Sequence, residues 1–453
     1  DVNNRRALSV RWTGHEPSNE IAAFVGLNRA GSVAEAKKAL EHFEVGAQNF
    51  VLADVDGSIG WFPHARVPKR PWASYSEADP AGSLPPWMPL PGDGSAEWEG
   101  YLDASELPSA FDPPAGFVAT ANQDLTGATE DGDPTAGGPY LQGMTAPGVR
   151  MARILERIEA GGNEHTVETM LALQLDTHSL LGEWIVPKLL AAAEEAELSA
   201  EAETLLGVLA EWDYTCPTGL ATSDPKGAAH EDPAVRKEAR GCAAFHFTFN
   251  RLLRVALENR QQAAGIGPAG WDANHLVRPL AIALLRPEDL VQSPEEFWTP
   301  LGAEAPRTER EALLEAIEKA AAEIVGPWGR DPEGWLWGKV HTVTFASQLP
   351  IPSLHHGPFA GAGGLLTVNV ANPSISPSGS FAFGQGASLR IVNELGEDGI
   401  TTWVQLPGGR DLHRTSAFFG NLVERWLAGE PIRMPFTPEE VDAAGTGVLR
   451  VGD

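Results

Sequence analysis

The sequence predicts a layered α+β fold, and three observations carry that reading. β-prone runs gather at both ends of the chain, a helical texture fills the middle, and prolines and glycines crowd the stretches between these blocks. Strands from the two ends would then share one sheet system beside the helical section. At 453 residues the chain is long enough for one large core or roughly two to three ordinary ones. Its 43% hydrophobic and 21% charged residues are ordinary globular usage, so a packed core is expected.

The first part, residues 1–148, reads as the sheet-rich section. Ser32-Val33-Ala34-Glu35 is a capping box, and Ala36, Leu40 and Phe43 recur at helical spacing up to Val45. Asn49 to Phe62 places Asp56-Gly57 between two β-prone runs, which predicts a core hairpin. From Val67 to Pro114 the prolines and glycines predict extended surface loop. Gly116 to Asn122 reads as a strand running into a glycine-rich loop, Gly127 to Gly148.

Residues 149–335 read as mainly helical, with Met151, Ile154, Leu155 and Ile158 on one apolar face. A polar stretch rich in Gly and Pro, Thr215 to Ala244, predicts an inserted loop carrying both cysteines. Residues 336–453 return to β texture: Val340 to Phe345, Leu365 to Val370, Ser388 to Val392 and Thr401 to Leu406 are strand candidates, and Ala417 to Leu427 is a closing helix.

With 33 Lys plus Arg against 61 Asp plus Glu, the formal charge of −28 repels phosphates and anionic lipid, so nucleic acid is excluded as a partner. No apolar run has the length of a membrane span, and the chain opens on Asp1 without a signal peptide, so a segment upstream is expected. Cys216 and Cys242 permit one disulfide without requiring it. Asp54-Val55-Asp56-Gly57 resembles the start of a calcium loop, but Ala65 stands where a bidentate Glu is needed. His355-His356 lack a second ligand pair and read as loop histidines. No phosphate loop, no Gly-x-Ser-x-Gly elbow and no Cys-x-x-Cys is present.

What rises above this background is a series of strings in fixed order. They are Gln48-Asn49-Phe50 with Ala53-Asp54-x-Asp56-Gly57-x-Ile59-Gly60, Val67-Pro68-x-Arg70, Gly116-Phe117-Val118-Ala119-Thr120-Ala121-Asn122, Gln174-Leu175-Asp176-Thr177, Trp337-Gly338-x-x-His341 and Ser388-x-Arg390. Together they resemble the penicillin acylase family of N-terminal-nucleophile hydrolases, specifically the larger C-terminal part of its β chain. The resemblance implies a share of a four-layer αββα sandwich and cleavage of an inactive precursor. It also implies a serine whose own α-amine is the base. An α-amine with a pKa near ~8 suits that work. Asp1 has no activated hydroxyl or thiol, and Ser32 and Ser58 sit in a capped helix and a hairpin. The nucleophile is therefore expected upstream, and the isolated chain is expected to be inactive.

Carried onto this sequence, the resemblance makes Asn122 the oxyanion-hole donor, worth ~3 kcal/mol of barrier in related chemistry, and Arg150 the residue that orients it. It implies that Glu394 is an acidic residue supporting a catalytic histidine in some relatives. It implies that the Pro86 carbonyl is one ligand of a structural Ca²⁺, with no cofactor for the chemistry itself. Expected partners are an acyl-amide substrate (β-lactam side chain, acyl-homoserine lactone or lipopeptide) together with the upstream segment and α chain of the precursor. A periplasmic or secreted location is implied as well. The family's late Gly-Gln-Ser-Gly and Ser-Pro-His-Tyr are replaced by Gly408-Gly409-Arg410-Asp411 and Ser416-Ala417-Phe418-Phe419. That departure keeps a second reading open, a catalytically inactive relative serving as a structural or binding domain.

Overall fold

Two short helices begin where the sequence supplies side-chain caps. Asn19 accepts a hydrogen bond from Ala22 N to start α1 (Glu20–Leu27), and Ser32 accepts one from Glu35 N at 3.2 Å to start α2 (Val33–Ala39). The Glu35 carboxylate reaches back to Gly31 N at 2.8 Å, one residue before the cap. A 3-10 turn, Leu40–His42, then ends the helical run before Val45. These positions come from a computed structural model that describes residues 7–76, 78–79, 81–127, 133–267, 273–290, 292–347, 349, 351–373, 380–396, 399–445 and 447. Asp1 lies outside them. The chain divides into two units, Asp1–Met151 with Leu395–Gly399 and Ala152–Glu394 with Ile400–Asp453.

In the first unit, β1 (Gln48–Ala53) and β2 (Ile59–His64) form the predicted hairpin, in register from Gln48↔His64 to Ala53↔Ile59. The Asp54 carboxylate knots the turn. It accepts from Val33 N at 2.9 Å, Ser58 N at 3.0 Å and Asp56 N at 3.2 Å, and these bonds, the one from Val33 foremost, hold its pKa below the ordinary value. Gly57 takes φ 89°, which a side chain would resist. The hairpin is half-buried rather than core. Phe62 packs with Val33 and Leu40 in the unit's apolar cluster, while Val51 is 50% exposed. β3 (Ala110–Phe111) pairs with the other edge of β2. The strand predicted for 116–122 does not form, because Gly116 and Asn122 both have positive φ and Ala121 N bonds the Gln123 side chain at 2.7 Å instead of a neighbouring strand.

The helical reading of the middle holds. α3 (Val149–Gly161) starts it, followed by α4 (Val167–Gln174), α5 (Leu180–Ala193), α6 (Ala200–Ala210), α7 (Pro233–Ala263), α8 (Ala273–Leu285), α9 (Pro294–Trp298) and α10 (Glu309–Trp328). Thr166, Ser179, Ser199, Ser293 and Thr308 each accept an N-cap bond. The 31-residue α7 is the axis of the second unit's core, with Phe245, Leu252 and Leu253 buried. α10 lies along it, and its buried Ala312, Ala316 and Ala320 permit close approach.

The insert predicted for 215–244 is shorter than expected. It ends at Asp232, whose side chain caps α7, and Pro233 is a favoured first helical residue. Cys242 is therefore helical, and a disulfide joins it to Cys216 in the loop, resolving what the sequence left open. The bond closes a separation of 26 residues. On chain-entropy grounds Cys216→Ser is expected to cost about 3 kcal/mol, read as a lower urea midpoint that added reductant does not lower further.

The last part holds short sheets. β4 (Thr342–Phe345) pairs with β5 (His356–Ala360), and β6 (Ala371–Pro373) with β7 (Phe383–Gly386). β8 (Arg390–Gly396), β9 (Gly399–Gln405) and β10 (Ile432–Met434) form a third sheet, followed along the chain by α12 (Pro438–Ala444), with α11 (Val423–Ala428) before β10. Among the described residues each strand pairs with a neighbour in sequence, where loop closure costs least, and no ladder joins β1–β3 to the later strands. Leu365 to Val370 is also not a strand. Its backbone donors turn elsewhere, Leu365 N to the His246 side chain, Leu366 N to the Asn372 side chain and Asn369 N to the Asp176 carbonyl, and Leu366 turns through φ 59°. His356 opens β5 rather than lying in a loop. The closing helix starts only at Val423, because Gly420 at φ 73° interrupts the run.

Candidate active site

Arg150 lies in the first turn of α3, and Asn122 ends the irregular 116–122 stretch. The chain holds Asn122 at φ 64°, a left-handed conformation that asparagine tolerates better than most residues. Its carbonyl accepts from Ala146 N at 2.8 Å. The guanidinium of Arg150 donates through Nη2 to Asn122 Oδ1 at 2.7 Å and to the Ala121 carbonyl at 3.0 Å. A guanidinium has donors only, so the amide oxygen must face it and the Asn122 NH₂ group must point the other way. Asn122 itself is exposed. The result is an outward-facing, pre-oriented N–H donor backed by a positive charge, suited to an oxygen that gains negative charge. Burial lowers the Arg150 pKa from its ordinary value.

The other two site residues stand differently. Glu394 is exposed on β8, and among the described residues no hydrogen bond or ion pair engages its side chain. Pro86 is half-buried in a turn closed by Met88 N to the Pro85 carbonyl at 3.0 Å. Calcium needs about six to eight oxygens. Among the described residues, the one grouping of three His, Cys, Asp or Glu ligand atoms is Cys216, Cys242 and His246, and both sulfurs are spent on the disulfide. The Pro86 carbonyl supplies at most one of the oxygens that calcium needs.

Two buried polar assemblies were visible in the sequence only as isolated strings. His246, Trp337, His341 and Phe383 stack in succession at 4.3, 4.5 and 4.3 Å between ring centroids. His246 donates from Nδ1 to the Cys242 carbonyl at 2.8 Å and accepts Leu365 N at Nε2. His341 donates from Nδ1 to the Phe381 carbonyl at 2.7 Å. Burial pushes their pKa values down from 6.5, to about 4 for His246 and about 3 for His341, so both are neutral. The second assembly centres on Arg390, which is buried. It donates to Gln405 Oε1 at 3.0 Å, the Trp426 carbonyl at 3.0 Å and Asn369 Oδ1 at 2.8 Å, and it lies over the Trp426 ring. Burial lowers its pKa to about 10, which leaves it charged.

The sequence model of the penicillin amidase family matches residues 2–443, and the chain belongs to that family. It is 25% identical over 450 residues to acyl-homoserine lactone acylase QuiP of Pseudomonas fluorescens (strain Pf0-1), covering 96% of this chain and 49% of that protein. It is 26% identical over 433 residues to penicillin acylase 2 proenzyme of Pseudomonas sp. (strain SE83), covering 91% and 47%. The chain thus spans about half the length of the curated relatives it matches. Among solved structures, thermostable penicillin G acylase from Alcaligenes faecalis superposes with a TM-score of 0.62 at 15% identity, covering 96% of this chain and 73% of that one. The α+β fold is shared with that penicillin G acylase.

Proposed function

We propose that the protein containing this chain hydrolyses acyl amides through a serine acyl-enzyme, with the serine and its α-amine base supplied by residues outside this chain. The Arg150–Asn122 arrangement carries the reading. As the serine oxygen adds to the amide carbon, the carbonyl oxygen becomes an oxyanion that the Asn122 NH₂ group meets; the same donor serves again when water adds to the ester. Arg150 is a positioning residue. It holds the amide through Oδ1, so no reorientation is needed as charge develops. The relatives' names, penicillin acylase and acyl-homoserine lactone acylase, support an acyl group on an amide nitrogen as the substrate class. The disulfide fits folding in an oxidising compartment such as the periplasm or the exterior.

The complete protein should release free amine from an acyl anilide or an N-acyl-homoserine lactone, while the 453-residue chain alone should not. Turnover by the isolated chain at the rate of the complete protein would overturn the placement of the nucleophile, and no turnover of either substrate by the processed protein would overturn the activity. Arg150→Ala should lower kcat about tenfold with KM little changed, because the amide persists but its direction is no longer fixed.

A further inference from the structure

Away from Asn122, the first unit holds a cavity of about 370 Å³, a size that suits a small molecule. Pro68, Lys69, Arg70, Pro139 and Tyr140 line it. Its charges are unevenly matched. Lys69 is paired with Glu106 at 3.0 Å. Glu99, also at the cavity, is exposed and uses its backbone N–H on the Lys69 carbonyl. Arg70 is part-buried, and among the described residues its guanidinium makes one hydrogen bond, a long contact with the Pro68 carbonyl at 3.4 Å. Among the described residues no carboxylate lies at ion-pair distance from it. The neighbouring arginines differ: Arg11 pairs with Glu97 at 2.8 Å, and Arg66 with Glu16 and Glu44. In a chain with 61 acids against 33 bases, an arginine without a carboxylate is not explained by a shortage of partners.

The surroundings of Arg70 are aromatic. Its guanidinium carbon stands 5.4 Å from the Tyr140 ring and 5.8 Å from the Trp98 ring, and Trp87 packs 6.0 Å from Tyr140. The Tyr140 hydroxyl accepts from Gly143 N, and burial raises its pKa, so its own proton remains to donate. A guanidinium fork presents parallel donors that fit a carboxylate, and a flat group can lie on the tyrosine and proline walls.

We propose that this cavity binds a small carboxylate bearing a flat apolar group, with Arg70 and the Tyr140 hydroxyl taking the carboxylate and the Tyr140 ring and Pro139 taking the flat group. A dianionic phosphate is disfavoured, because Lys69 is already neutralised, Glu99 is close and the chain carries a charge of −28. The site is independent of the acyl-hydrolysis reading. It lies outside the Asn122–Arg150 pair, and its test reads binding.

Titration calorimetry on the complete protein at pH 7.5 compares 1-naphthoate with its neutral isostere 1-naphthamide. The naphthoate should bind at least tenfold tighter. Arg70→Gln should abolish that preference while leaving naphthamide binding in place, and Arg70→Lys should keep part of it. Equal affinities in the unmodified protein overturn the proposal, as does a tenfold preference that survives in Arg70→Gln. If circular dichroism shows that Arg70→Gln does not fold, Tyr140→Leu provides the second reading: naphthoate affinity should drop about tenfold, and an unchanged affinity overturns the assignment.

Discussion

On the proposed function, Asn122→Ala in the complete protein is expected to lower kcat by about 10²-fold or more and to leave KM nearly unchanged. The asymmetry follows from when the bond matters. A neutral carbonyl gains little from the Asn122 amide, whereas an oxyanion gains about 3 kcal/mol, so the loss falls on the transition state. A loop-capping asparagine would behave otherwise. Removing it would cost roughly 1 kcal/mol of stability and leave turnover per folded molecule intact. Asn122 sits at φ 64°, so alanine also loses some stability, and the urea midpoint of the same variant must be measured beside its kinetics. Mass spectrometry should first confirm that the variant undergoes the same chain cleavage, if any, as the unmodified protein. Unchanged kcat in processed protein would remove Asn122 from the catalytic assignment.

The buried histidines give the largest expected effect on stability. In the folded chain His246 and His341 take up protons only near pH 4 and pH 3, whereas in the unfolded chain both do so near 6.5. Above pH 6.5 neither state is protonated and stability is full. As pH falls through 6.5 the unfolded chain gains protons that the folded chain refuses, so stability drops by about 1.4 kcal/mol per pH unit for each histidine. Between pH 7.5 and pH 5 the pair should cost about 4 kcal/mol, a large share of a typical net stability. Urea midpoints at the two pH values read this directly. His341→Phe keeps a flat ring in the stack but removes one titration, so it should be less stable at pH 7.5, having lost the bond to the Phe381 carbonyl, yet lose only about half as much on acidification. An equal loss in both proteins would show that other groups drive the acid response.

Legibility in the sequence followed range. The hairpin at Asp56-Gly57, the Ser32 cap and the helical middle were readable because each is specified within a few residues of itself. The segments 116–122 and 365–370 were misread as strands because apolar composition does not reveal where backbone hydrogen bonds go. Here they go to Gln123, His246 and Asn372. Asn122 and Arg150 were named only through the family resemblance. Nothing local to either residue shows that two side chains 28 positions apart in sequence meet at 2.7 Å. His246 carried no signal at all, since it sits on α7 among apolar residues and its neutral state is a product of burial.

Arg390 has a consequence for how the chain meets ionic strength. Surface pairs such as Arg11–Glu97 lose their attraction as mobile ions gather between them, over a screening length of about 8 Å in physiological salt. The Arg390 guanidinium binds only neutral oxygens of Asn369, Gln405 and Trp426, in a space that dissolved ions do not enter. Its tie between β8, β9 and α11 is therefore a charge-to-dipole contact that brine leaves intact. Salt meanwhile damps the mutual repulsion of a chain with 28 excess negative charges. β8, β9 and α11 are fastened by a kind of electrostatic bond that a saline medium does not loosen.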